Sequence, residues 1–315
     1  MFEYKIQEAW EKYREDFGLG RILLFVYFFN GFITFLSYFV FGYFDILPIL
    51  PVVAAFFFYF FRPQVARASS LMKTVINMLP IAITIILNYY YVGVVDRLAG
   101  GLPRMDEVFV KFEYWLYGDM PAVLIENILR PAGFLGSFMY DLMMTGYILY
   151  FLIPIHGAIL IYRILPDSRR YKLSRYFGSV ILYYTLNYLF YLFIPVTGPQ
   201  YFLPELFNHS LPFSSYGHFL YNSVQTGQAT FIDCFPSGHT GIAWLVTIWL
   251  FRFNHYQRYL MVFVTVLIML ATLAMRYHYT LDLLAAIPLA LITYKMGQWL
   301  FPVEVGPQVL RSSYR

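Results

Sequence analysis

The sequence predicts an all-α fold, namely a polytopic integral membrane helix bundle with about eight spans. Of the 315 residues, 60% are apolar or aromatic and only 13% are charged, about half the charged share of soluble domains. A helix crosses a bilayer with about 20 mostly apolar residues. The segments that meet or approach this length are 22–43, 46–61, 74–95, 134–162, 177–195, 238–252, 259–275 and 283–301.

The Lys and Arg residues predict the orientation of these spans. Most of them fall in the segments that lie inside if the N-terminus is cytoplasmic, as the positive-inside rule requires. The outer segments then hold only Arg97, Arg104, Lys111, Arg130 and Arg276. We therefore expect a multi-pass protein of the cytoplasmic or plasma membrane with both termini inside. The net charge of +4 indicates anchoring to membrane lipids, with no nucleic-acid partner.

Two long outer segments interrupt the bundle. Residues 96–133 include an aromatic run, Phe109 to Tyr117, that is typical of a helix lying in the membrane interface. Residues 196–237 contain no Lys or Arg but many Pro, Gly, Tyr and Phe, and long loops of this kind usually cover a site. A passive aromatic belt at the level of the lipid head groups explains the Tyr and Phe equally well.

The first motif that carries chemistry is Cys234-Phe-Pro-Ser-Gly-His-Thr240, at the outer mouth of the sixth span. Pro and Ser mark a helix start, where backbone N–H groups and the helix dipole favour an anion. Ser237, Gly238 and Thr240 are therefore candidate phosphate-binding residues. His239 adds a group that can give or take a proton near neutral pH.

The second motif is Arg276-Tyr-His-Tyr-Thr-Leu-Asp282, which the span count places at the same outer level. His278 and Asp282 are four residues apart, so on a helix they would share one face, where the carboxylate could accept from one ring nitrogen and leave the other as a nucleophile. Arg276 supplies a permanent positive charge with a geometry that suits phosphoryl oxygens.

Each motif alone has a plainer explanation. A single histidine at a span end is more often an interfacial residue, and Ser-Gly-His-Thr alone could be a helix cap. Two histidine motifs on one membrane face favour a common site, because polar groups near hydrocarbon cost several kcal/mol unless they are used.

At these residues the sequence resembles a family. Pro-Ser-Gly-His at 236–239 followed by His278-x-x-x-Asp282 is similar to the second and third signatures of the type 2 phosphatidic acid phosphatase superfamily. Arg276 to Asp282 is most similar to the branch of inositol phosphorylceramide (aureobasidin-target) and sphingomyelin synthases, as are, less specifically, 116–121 and 195–201. The resemblance implies a six-helix catalytic core at 74–301, preceded by a cytoplasmic segment and two extra spans at 1–73 and followed by a cytoplasmic tail at 302–315.

Two positions depart from the superfamily pattern. In the first signature Arg130-Pro131 is present but Val123 stands where a Lys is expected, and in the third Thr272 replaces an Arg. The resemblance therefore leaves Arg130 and Arg276 as the candidate phosphate-binding cations.

The resemblance implies a lipid phosphatase that acts on lipid phosphates at the outer membrane face. His278 would form a phosphohistidine, Asp282 would stabilise it and His239 would act as acid and base, with no metal or cofactor required. The same catalytic residues suit a phosphotransferase that moves a phospho-head group between lipids. A transporter or channel is a third interpretation, disfavoured because the polar cluster lies at span ends.

Three further residues are expected to support the site from outside the motifs. Asp141 lies within the fourth span and either touches the site or packs against Tyr and Thr neighbours. Gln200 and Tyr201 belong to the 195–201 segment that resembles the synthase branch. His209 and His218 do not predict a metal site, because no carboxylate or cysteine cluster completes a ligand set.

Overall fold

A computed structural model of the chain describes residues 101–165, 172–207, 209–228 and 230–300, together with residue 39, 85–86 and 89–97. The helices are α1 Asp106–Tyr117, α2 Pro121–Leu129, α3 Phe134–Leu149, α4 Ile153–Ile164, α5 Lys172–Phe193, α6 Pro199–Phe202, α7 Ser215–Gly227, α8 Gly238–Arg252, α9 Arg258–Ala274 and α10 Thr280–Leu300. No strand occurs in these ranges, where the only β-type pairing is an isolated parallel bridge between Val196 and Asp233. The all-α prediction is confirmed for the described residues.

Helix α8 is the centre of the bundle. It packs against α4, α5, α9 and α10, and apolar residues around its whole circumference are buried, including Ile242, Leu245 and Leu250. Gly241 permits the closest approach, because a Cβ there would lie 1.7 Å from the Tyr183 hydroxyl of α5. The helix that begins with the first histidine motif is therefore held from all sides.

Two helical segments of the described chain are long and apolar enough to cross a membrane. Helices α3 and α4 join through a 3-10 turn at Tyr150–Leu152 into one segment, Phe134–Ile164, of 31 residues, and α10 has 21 residues. Helix α9, with 17 residues, is apolar but shorter. The expected spans 22–43 and 46–61 lie outside the described residues, apart from residue 39, and 74–95 is described only in part.

Helix α1 occupies the aromatic run that the sequence assigns to the membrane interface. Its buried face carries Asp106, Phe109 and Glu113, whereas Trp115 is 77% exposed and Val108 is 56% exposed. The helix is therefore two-faced, with two carboxylates on the side that packs against the protein.

A buried ion pair ties α2 to the connection between α9 and α10. Arg276 donates to Glu126 at 2.7 Å, and both side chains are 6% exposed. Arg130 donates to the same carboxylate and to the carbonyl of Ser210, while Arg276 donates to the carbonyl of His209 at 3.0 Å. Burial opposes ionisation of Glu126, but the hydrogen bonds from Arg276 and Arg130 lower the pKa of this carboxyl. The network ties residues 209–210 to α2 and to the second histidine motif.

We expect Glu126→Gln to destabilise the protein by up to about 3–5 kcal/mol, because it leaves a buried guanidinium without a counter-charge. The pair stabilises the fold fully above the ordinary glutamate pKa of 4.5, and this contribution disappears as pH falls through the lowered folded-state pKa. Thermal unfolding in detergent, followed by tryptophan fluorescence between pH 3 and 8, measures both effects. The control is Glu107→Gln, since the pair of Glu107 with Lys111 is largely exposed. Equal midpoints for both variants would contradict the assignment.

Candidate active site

The first histidine motif is fixed where α8 begins. Ser237 is the N-cap, and its hydroxyl accepts the N–H of Thr240 at 3.3 Å. The N–H of Ser237 donates to the Asp282 carbonyl at 3.1 Å, and Asn187 donates to the Pro236 carbonyl at 2.6 Å. The first turn of a helix has N–H groups without intrahelical partners, so the backbone near Gly238 and His239 suits an anion.

The second motif forms the turn between α9 and α10. Nδ1 of His278 lies 3.3 Å from Oδ2 of Asp282, and the N–H of Tyr279 donates to the same oxygen at 2.8 Å. Asp282 is fully buried and His278 is 5% exposed. A carboxylate that accepts from Nδ1–H selects the tautomer in which Nε2 carries the free lone pair. The pair has the form of an oriented histidine nucleophile.

Cys234 is the third member of this cluster. Its Sγ lies 2.7 Å from Oδ2 of Asp282, 3.4 Å from Nδ1 of His278 and 3.2 Å from the Tyr277 carbonyl. Burial, followed by the nearby Asp282 carboxylate, raises the pKa of the Cys234 thiol well above its usual value, so the thiol is a donor. The three potential ligand atoms lie within 4.8 Å of one another, a spacing that a divalent cation could accept, but here they are hydrogen-bonded among themselves.

His239 stands between aromatic rings. Its ring centroid lies 4.2 Å from that of Tyr147 and 4.0 Å from that of Tyr150. The centroids of His239 and His278 are 6.0 Å apart. The structure therefore brings His239, His278 and Asp282 together, although α9 and the turns around it separate the two motifs in the chain.

Several buried polar atoms of this region have no hydrogen-bond partner in the protein. Among the described residues they include His239 Nε2, Thr240 Oγ1, Asn187 Oδ1 and Asp282 Oδ1. Buried polar groups without partners are uncommon and often mark functional positions. Here they surround both histidine motifs.

The candidate cations are engaged with Glu126 and its surroundings. Arg276 points at Glu126 and stacks on the Phe207 ring at 4.7 Å, and Arg130 shares the same carboxylate. Val123 packs in an apolar cluster with Phe109 and Tyr279. At Thr272, the second position that differs from the superfamily pattern, the backbone carbonyl accepts the N–H groups of Tyr277 and His278. The positions that lack cations in the sequence thus serve packing and backbone hydrogen bonding.

Of the three supporting residues, Gln200 contacts the second motif directly, and Tyr201 is linked to it through Gln225. The N–H of Gln200 donates to the Arg276 carbonyl at 3.0 Å, and its side chain accepts from Gln225, which also donates to the Tyr277 hydroxyl at 3.1 Å. Tyr201 contacts Gln225 as well. A cavity of about 310 Å³ lies on this side, bordered by Gln200 and Arg276.

Asp141 lies elsewhere. Its carboxylate accepts the N–H and hydroxyl of Ser214, and a Cβ on Gly217 would lie 2.1 Å from its Oδ1. Asp141 therefore fastens the first turn of α7 to α3.

Sequence reasoning missed the groups that enclose the motifs. Tyr147 and Tyr150 of the α3 to α4 junction flank His239, and Asp106 and Glu113 of α1 reach the residues that follow His278. The carboxylates could have been found from the spacing of 106, 109 and 113, which places two acids beside Phe109 on one helix face. The tyrosines carried no such signal, because the chain holds 30 of them.

Comparisons with known proteins identify one family and one relative. The family model described as "PAP2 superfamily" matches residues 107–296. A PA-phosphatase related-family protein of Dictyostelium discoideum is 22% identical over 222 residues, which cover 64% of this chain and 40% of that protein. The chain thus spans about two fifths of the length of this relative, and no solved structure matches it. Since the family match covers more than half of the chain and contains both histidine motifs, the protein belongs to the PAP2 superfamily.

Proposed function

We propose that the protein is a membrane-embedded lipid phosphatase that acts on lipid phosphates through a phosphohistidine intermediate. Superfamily membership supports phosphatase-type chemistry on a lipid phosphate. The observation that carries the proposal is the hydrogen-bonded pair of His278 and Asp282, with the ring of His239 at 6.0 Å. That separation is compatible with a phosphorus atom about 3–3.5 Å from a His278 nitrogen and with a bridging oxygen next to His239.

In the first step Nε2 of His278 attacks the phosphorus, the new N–P bond forms and the bond from phosphorus to the lipid oxygen breaks. His239 gives a proton to the departing alkoxide. Asp282 accepts the Nδ1–H and stabilises the positive charge that develops on the ring.

In the second step His239 takes a proton from water, the oxygen attacks phosphorus and the N–P bond breaks to release phosphate and neutral His278. The phosphoryl oxygens lie against the backbone N–H groups of Gly238 and its neighbours, with Ser237 and Thr240. Arg276 and Arg130 add positive charge from the adjacent network, reduced by their contact with Glu126.

The second candidate is the phosphotransferase of the synthase-like branch, in which a lipid or polyol hydroxyl replaces water. The specific observation in its favour is the enclosure of the histidines. His278 is 5% exposed, and the rings of Tyr147, Tyr150 and Phe151 lie around His239. A site that admits little water favours a lipid or polyol hydroxyl over water as the acceptor of the phosphoryl group.

The first test concerns the nucleophile. We expect His278→Ala to abolish phosphate release or head-group transfer by purified protein in detergent, and Asp282→Asn to lower kcat by about two to four orders of magnitude, because the tautomer is no longer fixed. Chelation with EDTA should leave the rate unchanged.

The control for this test is His156→Ala. His156 is exposed on α4 and contacts Gln257, at a position with no contact to either motif. Full activity of His278→Ala would remove this residue as the nucleophile.

The second test separates the two activities. A panel of phosphatidate-like, polyprenyl-phosphate and phospholipid substrates is incubated with and without diacylglycerol or ceramide, and products are identified by mass spectrometry. Free phosphate that does not depend on the acceptor is the result expected for the phosphatase. A product lipid that carries the head group, formed only with the acceptor, would decide for the transferase.

We further propose that the chain crosses the plasma or cytoplasmic membrane about eight times, with both termini inside and the histidine site facing outward. The bias of Lys and Arg between the segments supports this orientation. The two long apolar helical segments of the described chain are compatible with a membrane protein.

The third test labels cysteines introduced at chosen positions. The only native cysteine of the sequence, Cys234, is buried and should react little with a thiol reagent. A membrane-impermeant maleimide should label Glu107→Cys in intact cells, and Ser312→Cys only after permeabilisation. The reverse pattern would place the histidine site on the cytoplasmic side.

A further inference from the structure

We propose that Asp106 and Glu113, the two buried carboxylates of α1, are positioning residues that hold the turn carrying His278 and Asp282 in its working geometry. This inference rests on the proposed function, since it assigns a role within the same site. The two acids lie two helical turns apart on one face of α1, and both are fully buried.

Asp106 binds the two chain segments that meet behind His278. Its carboxylate accepts the N–H and hydroxyl of Thr197, the N–H of Gly198 at 2.9 Å and the hydroxyl of Tyr279 at 3.0 Å. A buried carboxylate normally costs several kcal/mol, and this many donors offset that cost. Asp106 therefore links Tyr279 to the segment that contains Gly198 through hydrogen bonds.

Gly198 also packs closely against Tyr277, the residue that precedes His278. Its φ is +90°, and a Cβ there would lie 2.3 Å from the carbonyl of Tyr277. The Sγ of Cys234 lies 3.2 Å from the carbonyl of Tyr277 and 2.7 Å from Oδ2 of Asp282, so its single S–H can donate to either oxygen. Both neighbours of His278 in the chain, Tyr277 and Tyr279, are thus placed by the segment that Asp106 binds.

Glu113 holds the start of α10. Its Oε1 accepts the N–H of Thr280, the first residue of that helix, and Tyr117 on the same face of α1 contacts the Thr280 hydroxyl at 3.3 Å. The other carboxylate oxygen of Glu113 is buried without a hydrogen-bond partner in the described part of the chain. Thr280 lies between His278 and Asp282, so this contact sets the distance between the nucleophile and the carboxylate that orients it.

A role limited to stability explains these contacts less well. Apolar residues of similar size would pack α1 against the core without the desolvation cost of two acids. Among the residues that the structure describes, both carboxylates instead bind backbone N–H groups or hydroxyls of residues 197–198 and 279–280, and no Lys or Arg. The alignment of the nucleophile is sensitive to this backbone, since a misplacement of about 1 Å can cost about 100-fold in rate.

The test compares Asp106→Asn and Glu113→Gln with the matched control Glu107→Gln, a largely exposed carboxylate on the same helix. Each substitution keeps the size of the side chain. Both oxygens of Asp106 accept hydrogen bonds, so in Asp106→Asn the new N–H₂ group faces a donor in either orientation and at least one hydrogen bond is lost. We expect kcat to fall about 10–100-fold, with KM changed less than about 3-fold. The control should match the wild type.

A second readout does not depend on turnover. Modification of histidines by diethyl pyrocarbonate is followed by mass spectrometry, with the exposed His156 as the internal reference. In Asp106→Asn and Glu113→Gln a loosened turn should make His278, buried in the wild type, react faster relative to His156.

The outcomes separate the two proposals. Unchanged kcat and unchanged His278 reactivity in folded variants would overturn the positioning role while leaving the proposed function intact. A wild-type protein that is inactive on every substrate would overturn the proposed function, and the reactivity of His278 would still report on positioning. Lower thermal stability with wild-type kcat per folded molecule would assign the two acids to folding alone.

Discussion

The arrangement of the site depends on one oxygen atom, Oδ2 of Asp282. It lies within hydrogen-bonding distance of the His278 ring, the N–H of Tyr279 and the thiol of Cys234. These three donors come from both histidine motifs, so a single buried carboxylate joins the start of α8 to the start of α10. A buried charge is tolerated only when hydrogen bonds replace its hydration, and this requirement fixes the local geometry.

Near the second motif, the two candidate phosphate-binding cations are already paired with a carboxylate. Arg276 and Arg130 share Glu126, whose ionised form they stabilise, and they also donate to the carbonyls of His209 and Ser210. The start of α8 offers backbone N–H groups instead, and these need no counter-ion. Tyrosine rings lie on both faces of His239 and its Nε2 is buried, so electrostatic interactions at this atom are screened less than in water.

Helix α1 links this centre to the surface of the protein. Its outer face exposes Trp115 and other apolar side chains, and its inner face contacts Tyr279 and Thr280 through acids. One face of α1 is therefore exposed and apolar, and the other is bound to the turn that carries His278. The polar contacts of its buried face fix the position of α1 against the turn.

The sequence by itself determined the helical class and the two histidine motifs, because long apolar runs and short motifs are local properties of the chain. It also predicted the contact of His278 with Asp282, but through a shared helix face, whereas His278 lies in the turn before α10 and reaches Asp282 from there. Only the tertiary structure decided that Arg276 faces Glu126, that Asp141 fastens α7, and that Asp106 and Glu113 reach the second motif. These contacts join residues far apart in the chain. Such partners depend on how helices pack, and packing is fixed by side-chain shape across the whole bundle and not by any local pattern.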